Sequence, residues 1–168
     1  MTEGPVTWQE FTAAAPELAI AAQSRLEAAE HHVLATIRFD GSPRLNGTNV
    51  VFDGADLLVG SMPGTRRSAD LRRDPRCALH TAPDLPTLPD GDVRFDCVAT
   101  DVGSDRTRAV FARLAAERTA DGEGTGEPLT GDLFSLGLRS VSMVQVDGDE
   151  LRITVWSPDE GLRVVRRS

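Results

Sequence analysis

The chain contains no lysine and no tyrosine, and it has three histidines and two cysteines among its 168 residues. Because these side chains supply many of the acids, bases and nucleophiles of enzymes, the sequence offers few candidates for side-chain catalysis. It also lacks a nucleophile elbow, a Walker loop, a dinucleotide fingerprint after a strand and paired Cys-x-x-Cys motifs. An enzyme of this composition most often takes its reactivity from a cofactor, and the protein supplies binding and orientation.

The cysteines and histidines match neither a metal template nor a disulfide framework. Cys77 and Cys97 each lie in an apolar, strand-like run, which predicts buried and reduced thiols. His31 and His32 are adjacent and His80 is the remaining histidine, so there are too few ligands at a compatible spacing to predict a metal site.

Charge and hydrophobicity narrow the range of partners. The formal net charge of -8 disfavours a nucleic acid as the main partner. All 18 basic residues are arginine, so a bound anion must be held by arginine, backbone N–H or hydroxyl groups. No apolar run approaches the roughly 20 residues that span a bilayer, and the N-terminus lacks the form of a signal peptide. We therefore expect a cytoplasmic protein with no membrane partner; the composition bias suggests a GC-rich, actinobacterial source.

Apolar periodicity and turn residues predict a single domain over residues 1–168 with an α+β fold. Asp40-Gly41 and Asp53-Gly54 are strong hairpin signals, and they join the first three predicted strands into an antiparallel meander. The pattern indicates a small barrel or strongly bent sheet of six to seven antiparallel strands with about four helices. The predicted strands are residues 32–39, 44–52, 56–61, 76–81, 93–101, 133–138, 140–146 and 151–156, of which two look like pieces of strand.

The helices and loops follow from capping and breaking residues. Thr7 and Glu10 fit a capping box, so a helix begins at Trp8, and Pro16 begins a second helix that ends near Glu30. Further helices are predicted over residues 65–73 and 105–119. Residues 121–132 are predicted to be a flexible loop and residues 161–168 a basic tail.

Residues 60–68, GSMPGTRRS, are the strongest candidate for a ligand site. They place hydroxyls, a Pro-Gly loop and the adjacent Arg66 and Arg67 at a strand-to-helix junction, where helix N–H groups favour an anion. A second interpretation makes Arg66, Arg67, Arg72 and Arg73 a solvated helix face that pairs with Asp70 and Asp74. Spacing alone leaves both interpretations open.

Two longer runs carry a family resemblance. Residues 32–44 read HVLATIRFDGSPR and residues 58–79 read LVGSMPGTRRSADLRRDPRCAL. Together with the helix before them, they resemble the pyridoxamine 5'-phosphate oxidase-like family of split β-barrel flavin and deazaflavin proteins over about residues 17–81. The resemblance implies that Thr65, Arg66 and Arg67 form the family's phosphate clamp. The cofactor-binding residues it implies are Asn46, Thr48, Asn49, Ser61, Met62, Thr65, Arg66 and Arg67.

The chain departs from the strict oxidases of that family at two positions. Asn46 stands where they have an arginine, and Val51 stands where they have a lysine. This resembles the divergent branches, which include FMN-binding reductases and enzymes that use coenzyme F420.

The resemblance implies an oxidoreductase in which bound FMN or coenzyme F420 passes a hydride to or from a small organic substrate, with no catalytic side chain as nucleophile. It also implies a homodimer with the cofactor in the interface groove. Trp156 and the arginines of the tail either reach that groove or serve packing and solvation; these arginines are Arg163, Arg166 and Arg167.

Two other functions stay open from the sequence. The protein could be a non-catalytic flavin or haem protein that stores or senses its cofactor, with His31, His32 or His80 as an axial ligand. It could also be a degenerate dimeric barrel without a ligand.

Overall fold

Nine strands and four helices make up the part of the chain that the structure, a computed structural model, describes, namely residues 4–82, 90–123 and 129–168. The helices are α1 (Trp8–Ala14), α2 (Pro16–Glu27), α3 (Arg66–Arg73) and α4 (Ser104–Ala120). The strands are β1 (His32–Ile37), β2 (Pro43–Thr48), β3 (Val50–Asp53), β4 (Asp56–Ser61), β5 (Arg76–His80), β6 (Asp92–Asp101), β7 (Asp132–Asp147), β8 (Glu150–Ser157) and β9 (Gly161–Arg167).

All nine strands belong to one antiparallel sheet. Its main path runs β2-β1-β5-β6-β7-β4-β3, and β8 pairs with β7 and with β9. The two ends of the path, β2 and β3, follow each other in the chain with only Asn49 between them. The sheet therefore bends until its ends meet but is not closed by a ladder, which confirms the predicted α+β split barrel.

The predicted strand over residues 44–52 is two strands, so the three-stranded meander was wrong. β2 pairs with β1, where Thr48 lies opposite His32, and β3 pairs with β4, where Val50 lies opposite Val59. The chain leaves one sheet end and enters the other at Asn49. The Asp-Gly turns therefore close two separate hairpins on opposite sides of the split.

The second half of the chain differs from the prediction at three places. The two predicted pieces are one strand, β7, which passes a register shift against β6 between Asp96 and Cys97. The predicted basic tail is β9, which pairs with β8 from Leu151 to Ser157. Of the predicted loop over residues 121–132, residues 124–128 lie outside the described residues, and β7 already begins at Asp132.

α1 and α2 cover the core of the barrel. The predicted capping box at α1 is confirmed, because Glu10 N donates to Thr7 Oγ1 at 3.2 Å and Thr7 N donates to Glu10 Oε2 at 2.7 Å. Phe11 of α1 is fully buried, and its ring lies 4.9 Å from that of Trp156 on β8. Among the described residues, no helix is long and apolar enough to cross a bilayer.

Candidate cofactor site

A row of hydroxyl groups organises the junction between β4 and α3. Thr65 is the N-cap of α3, as predicted, and its Oγ1 accepts from Ser68 N at 3.3 Å. The same oxygen lies 2.6 Å from Ser61 Oγ, at the end of β4, and 3.1 Å from Ser68 Oγ. Gly131 lies so close to Ser61 that a Cβ added to Gly131 would be 2.2 Å from the Ser61 carbonyl oxygen. The start of α3 is thus fixed to the end of β4, which in turn packs against the chain before β7.

Arg67 ties the two sides of the split together. Its guanidinium donates to the carbonyl of Gly47 on β2 at 2.9 Å and to the carbonyl of Gly60 on β4, and its Nε donates to Ser61 Oγ at 3.4 Å. It makes no ion pair with a described carboxylate. Burial lowers the pKa of the Arg67 guanidinium, but arginine keeps its charge at any working pH. Arg67 therefore brings an unneutralised positive charge while most of its donors are in use.

The remaining arginines of α3 divide into two kinds. Arg72 pairs with Asp101 at 2.7 Å and with Asp132 at 2.8 Å, and Arg73 pairs with Asp70 at 3.3 Å. Arg66 is exposed and makes no hydrogen bond or ion pair with a described residue. Arg73 therefore has one of its predicted partners, whereas Arg72 pairs with two carboxylates that were not predicted and Asp74 pairs with Arg76. The anion-site interpretation is left with Arg66 and Arg67.

Arg44, which is partly exposed, forms an ion pair with the buried carboxylate of Asp70. Asp70 is 3% exposed and accepts from Arg44 Nε at 2.6 Å, from Arg73 and from Thr36. Burial alone would raise the pKa of Asp70, but the bonds and charges of Arg44, Arg73 and Thr36 outweigh it and lower that pKa. One carboxylate thus serves two arginines, so this part of the molecule keeps an excess of positive charge.

A cavity of about 260 Å³ opens between β2, the end of β4 and the start of α3. One of its polar groups lacks a partner, since Asn46 Oδ1 is buried without a hydrogen bond from a described residue. Its rim carries the exposed apolar side chain of Met62. The lining residues are Arg44, Asn46, Gly47, Ser61, Met62, Thr65, Arg66 and Arg67.

A match to a protein-family model agrees with the resemblance seen in the sequence. A family model described as pyridoxamine 5'-phosphate oxidase matches residues 18–136. The chain belongs to this family. The match includes β1 to β6, α3 and the whole lining of the cavity. No curated protein sequence matches the chain.

Solved structures of the pyridoxamine 5'-phosphate oxidase fold are similar over most of the chain. PhzG from Burkholderia lata 383, in complex with tetrahydrophenazine-1-carboxylic acid, is 12% identical with a TM-score of 0.66, over 95% of this chain and 92% of that one. An F420 reductase is 22% identical with a TM-score of 0.56, over 71% and 94%. The haem storage protein HutZ from Vibrio cholerae is 20% identical with a TM-score of 0.55, over 75% and 90%. At these identities the likeness shows the fold.

Six of the nine residues predicted to bind the cofactor line the cavity, and three do not. Thr48 is buried, and its Oγ1 donates to the carbonyl of Asn49 at 3.2 Å. The amide of Asn49, between β2 and β3, donates to Glu30 at 3.5 Å and does not line the cavity. The residues brought together are Asn46, Ser61, Met62, Thr65, Arg66 and Arg67.

Trp156 is the third predicted residue outside the cavity. It is 3% exposed and packs against Phe11 in the core, so its ring offers no surface to a ligand. Of the tail arginines, Arg163 pairs at 2.5 Å with Glu160 in the turn between β8 and β9, and Arg166 pairs at 2.8 Å with Asp147 at the end of β7. The interpretation as packing residue holds for Trp156.

Sequence reasoning missed Arg44 and Gly47. Strand alternation carried a signal for Arg44, because residues two apart on a strand face the same side and Asn46 was already a candidate. The role of Gly47 lies in its carbonyl, which accepts from Arg67. No side-chain pattern could have indicated that contact.

Proposed function

We propose that the protein is an oxidoreductase that holds FMN or coenzyme F420 in the cavity between β2, β4 and α3 and exchanges a hydride with a small organic substrate. The observation that carries this proposal is the pair of unneutralised arginines, Arg66 and Arg67, at the start of α3 beside the unpartnered oxygen of Asn46. A positively charged helix start with spare donors suits a phosphate, and a buried acceptor without a donor suits a polar ring edge or hydroxyl.

The residues present fit such a cofactor. Arg66 is free to donate a charge-assisted pair of hydrogen bonds, and the first two N–H groups of α3 have no acceptor within the helix. Arg67 adds charge from a fixed position, because its bonds to Gly47 and Gly60 hold it across the split. Asn46 Oδ1 would accept a hydrogen bond from the ligand. The bound flavin or deazaflavin ring supplies the hydride chemistry.

A second subunit is part of the proposal. The cavity of about 260 Å³ is smaller than the roughly 300–1,000 Å³ of pockets that enclose a whole small molecule. Met62, the apolar side chain on its rim, is 75% exposed. A second copy of the chain packed over this rim would bury Met62 and complete the cavity.

Similar proteins support the cofactor class without choosing within it. One structural neighbour is an F420 reductase, and another, PhzG, is in complex with tetrahydrophenazine-1-carboxylic acid. The absence of a lysine at Val51 and of an arginine at Asn46 is compatible with either cofactor. FMN and F420 therefore stay alternatives within one proposal, and the substrate is given only as a small organic molecule.

Haem storage or sensing is the second candidate function, because one structural neighbour is a haem storage protein and another is a haem-binding protein. His32 is unsuited to axial ligation in this fold. Its Nε2 lies 3.0 Å from the carbonyl of Leu26, its Nδ1 accepts from Ala82 N at 3.2 Å, and the side chain is buried. His31 and His80 are the histidines left for such a role.

The test is the absorption spectrum and mass of the ligand that copurifies from a host making both FMN and F420. We expect a flavin or deazaflavin spectrum, and turnover with NAD(P)H or reduced F420 and an electron acceptor. A colourless protein that binds neither FMN, F420 nor haem on titration would contradict the proposal. A haem spectrum would favour the second function, and binding without turnover would favour a storage or sensing role.

A further inference from the structure

The two cysteines of the chain face each other across adjacent strands. Cys77 on β5 and Cys97 on β6 are directly opposite in the register of the ladder. Two positions further along, Ala99 N donates to the carbonyl of Pro75 at 2.7 Å. Because hydrogen-bonded pairs alternate along an antiparallel ladder, Cys77 and Cys97 also form a hydrogen-bonded pair. Such pairs have α carbons about 5.5 Å apart, within the range of about 4.4–6.8 Å seen for disulfides.

The two thiols also share one face of the sheet and differ in exposure. Opposite residues point to the same side, and both side chains pack in the main hydrophobic core. Cys97 is 3% exposed, whereas Cys77 is half-buried. The neighbouring Cys77 thiol, together with burial, raises the pKa of Cys97. One thiol is therefore accessible to a small reagent, and the other is held beside it and shielded.

We propose that Cys77 and Cys97 are a reversible redox pair, which a peroxide-class oxidant converts into a disulfide between β5 and β6. The sequence predicts two buried thiols without a disulfide framework, and the register of the two strands adds the facing geometry. This inference does not depend on which cofactor the cavity binds.

The reaction balances with hydrogen peroxide as oxidant. The sulfur of Cys77 attacks one peroxide oxygen, the O–O bond breaks, and one water leaves, so that Cys77 becomes a sulfenic acid. The sulfur of Cys97 then attacks the sulfur of Cys77, the S–O bond breaks, and the hydroxyl leaves as a second water with the Cys97 proton. Two thiols and one peroxide give one disulfide and two waters.

The position of the pair favours reversibility. A disulfide across a hydrogen-bonded pair must fit strands whose spacing is already fixed by the ladder, and departures from ideal disulfide geometry make the bond easier to reduce. A half-exposed Cys77 also leaves one sulfur open to an attacking thiol. We therefore expect a dithiol reductant to restore both thiols.

The test treats the native protein with hydrogen peroxide, quenches it by alkylation under denaturing conditions, and measures intact mass and peptides. Since the chain has two cysteines, every thiol lost belongs to this pair. We expect the oxidised protein to take up no alkyl group at either cysteine. Its mass should lie about 2 Da, the mass of two hydrogens, below that of the reduced chain before alkylation. Cleavage after Arg76 and Arg94 separates the cysteines, so the disulfide appears as one linked pair of peptides. Dithiothreitol should return the original mass.

Two variants check the order of events. Cys97→Ser should be oxidised at Cys77 but form no internal disulfide, and Cys77→Ser should be nearly inert, because the remaining thiol is shielded. Three results in the native protein would overturn the proposal: no loss of thiols, oxygen added to Cys77 while Cys97 stays alkylatable, or disulfide-linked dimers in place of the internal bond. Equal oxidation of the Cys77→Ser variant and the native protein would overturn the assigned first step.

Discussion

The adjacent arginines Arg66 and Arg67 should respond differently to the same substitution. Arg66 is exposed and has no described partner, so Arg66→Ala should weaken cofactor binding and leave folding almost unchanged. A lost charge-assisted hydrogen bond costs about 1.5–3 kcal/mol, which is roughly a 10- to 150-fold rise in Kd. The free energy of unfolding should change by less than about 0.5 kcal/mol.

Arg67→Ala should affect both properties. The substitution removes two bonds that join β2 to β4 across the split, to the carbonyls of Gly47 and Gly60. At about 0.5–1.5 kcal/mol for each net hydrogen bond, the free energy of unfolding should fall by about 1–3 kcal/mol. Binding should weaken as well, since the positive charge beside the cavity is lost.

The assay pairs ligand titration with urea unfolding for both variants. Arg108→Ala is the matched control, because Arg108 is an exposed arginine whose described ion pair is the surface contact with Asp105 at 3.0 Å. The control should match the native protein in both measurements. Unchanged affinity in Arg66→Ala would refute the assignment of this arginine to the ligand, and unchanged stability in Arg67→Ala would refute its role across the split.

Three further substitutions test the supports of the site. Asp70→Asn should lower the free energy of unfolding by about 3 kcal/mol, because it breaks the ion pair of a buried carboxylate with Arg44; urea titration measures the loss, and near-native stability would contradict the account. Thr65→Ala should cost about 1 kcal/mol through loss of the N-cap, Thr65→Ser should recover most of it, and equal melting of the two variants would count against the cap. Burial lowers the pKa of His32 below its ordinary 6.5, so the unfolded chain takes up a proton before the folded one does as the pH falls. The free energy of unfolding should therefore decrease below about pH 6.5, by at most about 1.4 kcal/mol per pH unit. In His32→Gln this decrease should be smaller, and an identical pH dependence in that variant would disprove the role of His32.

The fold was predictable where local chemistry determines it. Asp-Gly turns, the Thr7 capping box and the Thr65 cap act within a few residues, and the structure has each of them. The break at Asn49 was not predictable, because residues 44–52 keep a continuous strand pattern and only the choice of pairing partner divides them. The strand β9 was missed for a similar reason, since its pairing with β8 lets exposed arginines occupy a strand.

The segment that forms the site was predictable, but the role of each of its arginines was not. Successive helical residues point about 100° apart, so Arg66 and Arg67 look alike in sequence yet face solvent and the split. Which arginines pair with carboxylates depended on Asp101 and Asp132, which are distant in the chain and close to α3 only in the fold. The choice between groove and packing stayed open for Trp156 in the sequence because its partner Phe11 lies on a helix at the other end of the chain.

The central claim is that the start of α3 binds the phosphate of a ring cofactor, and a comparison of FMN with riboflavin tests it most directly. The two ligands share the ring and differ in the phosphate. The account predicts that the native protein binds FMN at least about tenfold more tightly than riboflavin, which is the free energy of one charge-assisted hydrogen bond. Arg66→Ala should remove most of that preference. If F420 proves to be the ligand, the same comparison is made with its phosphate-free deazaflavin. Equal affinity for the two forms in the native protein, or a preference that survives Arg66→Ala unchanged, would contradict the account.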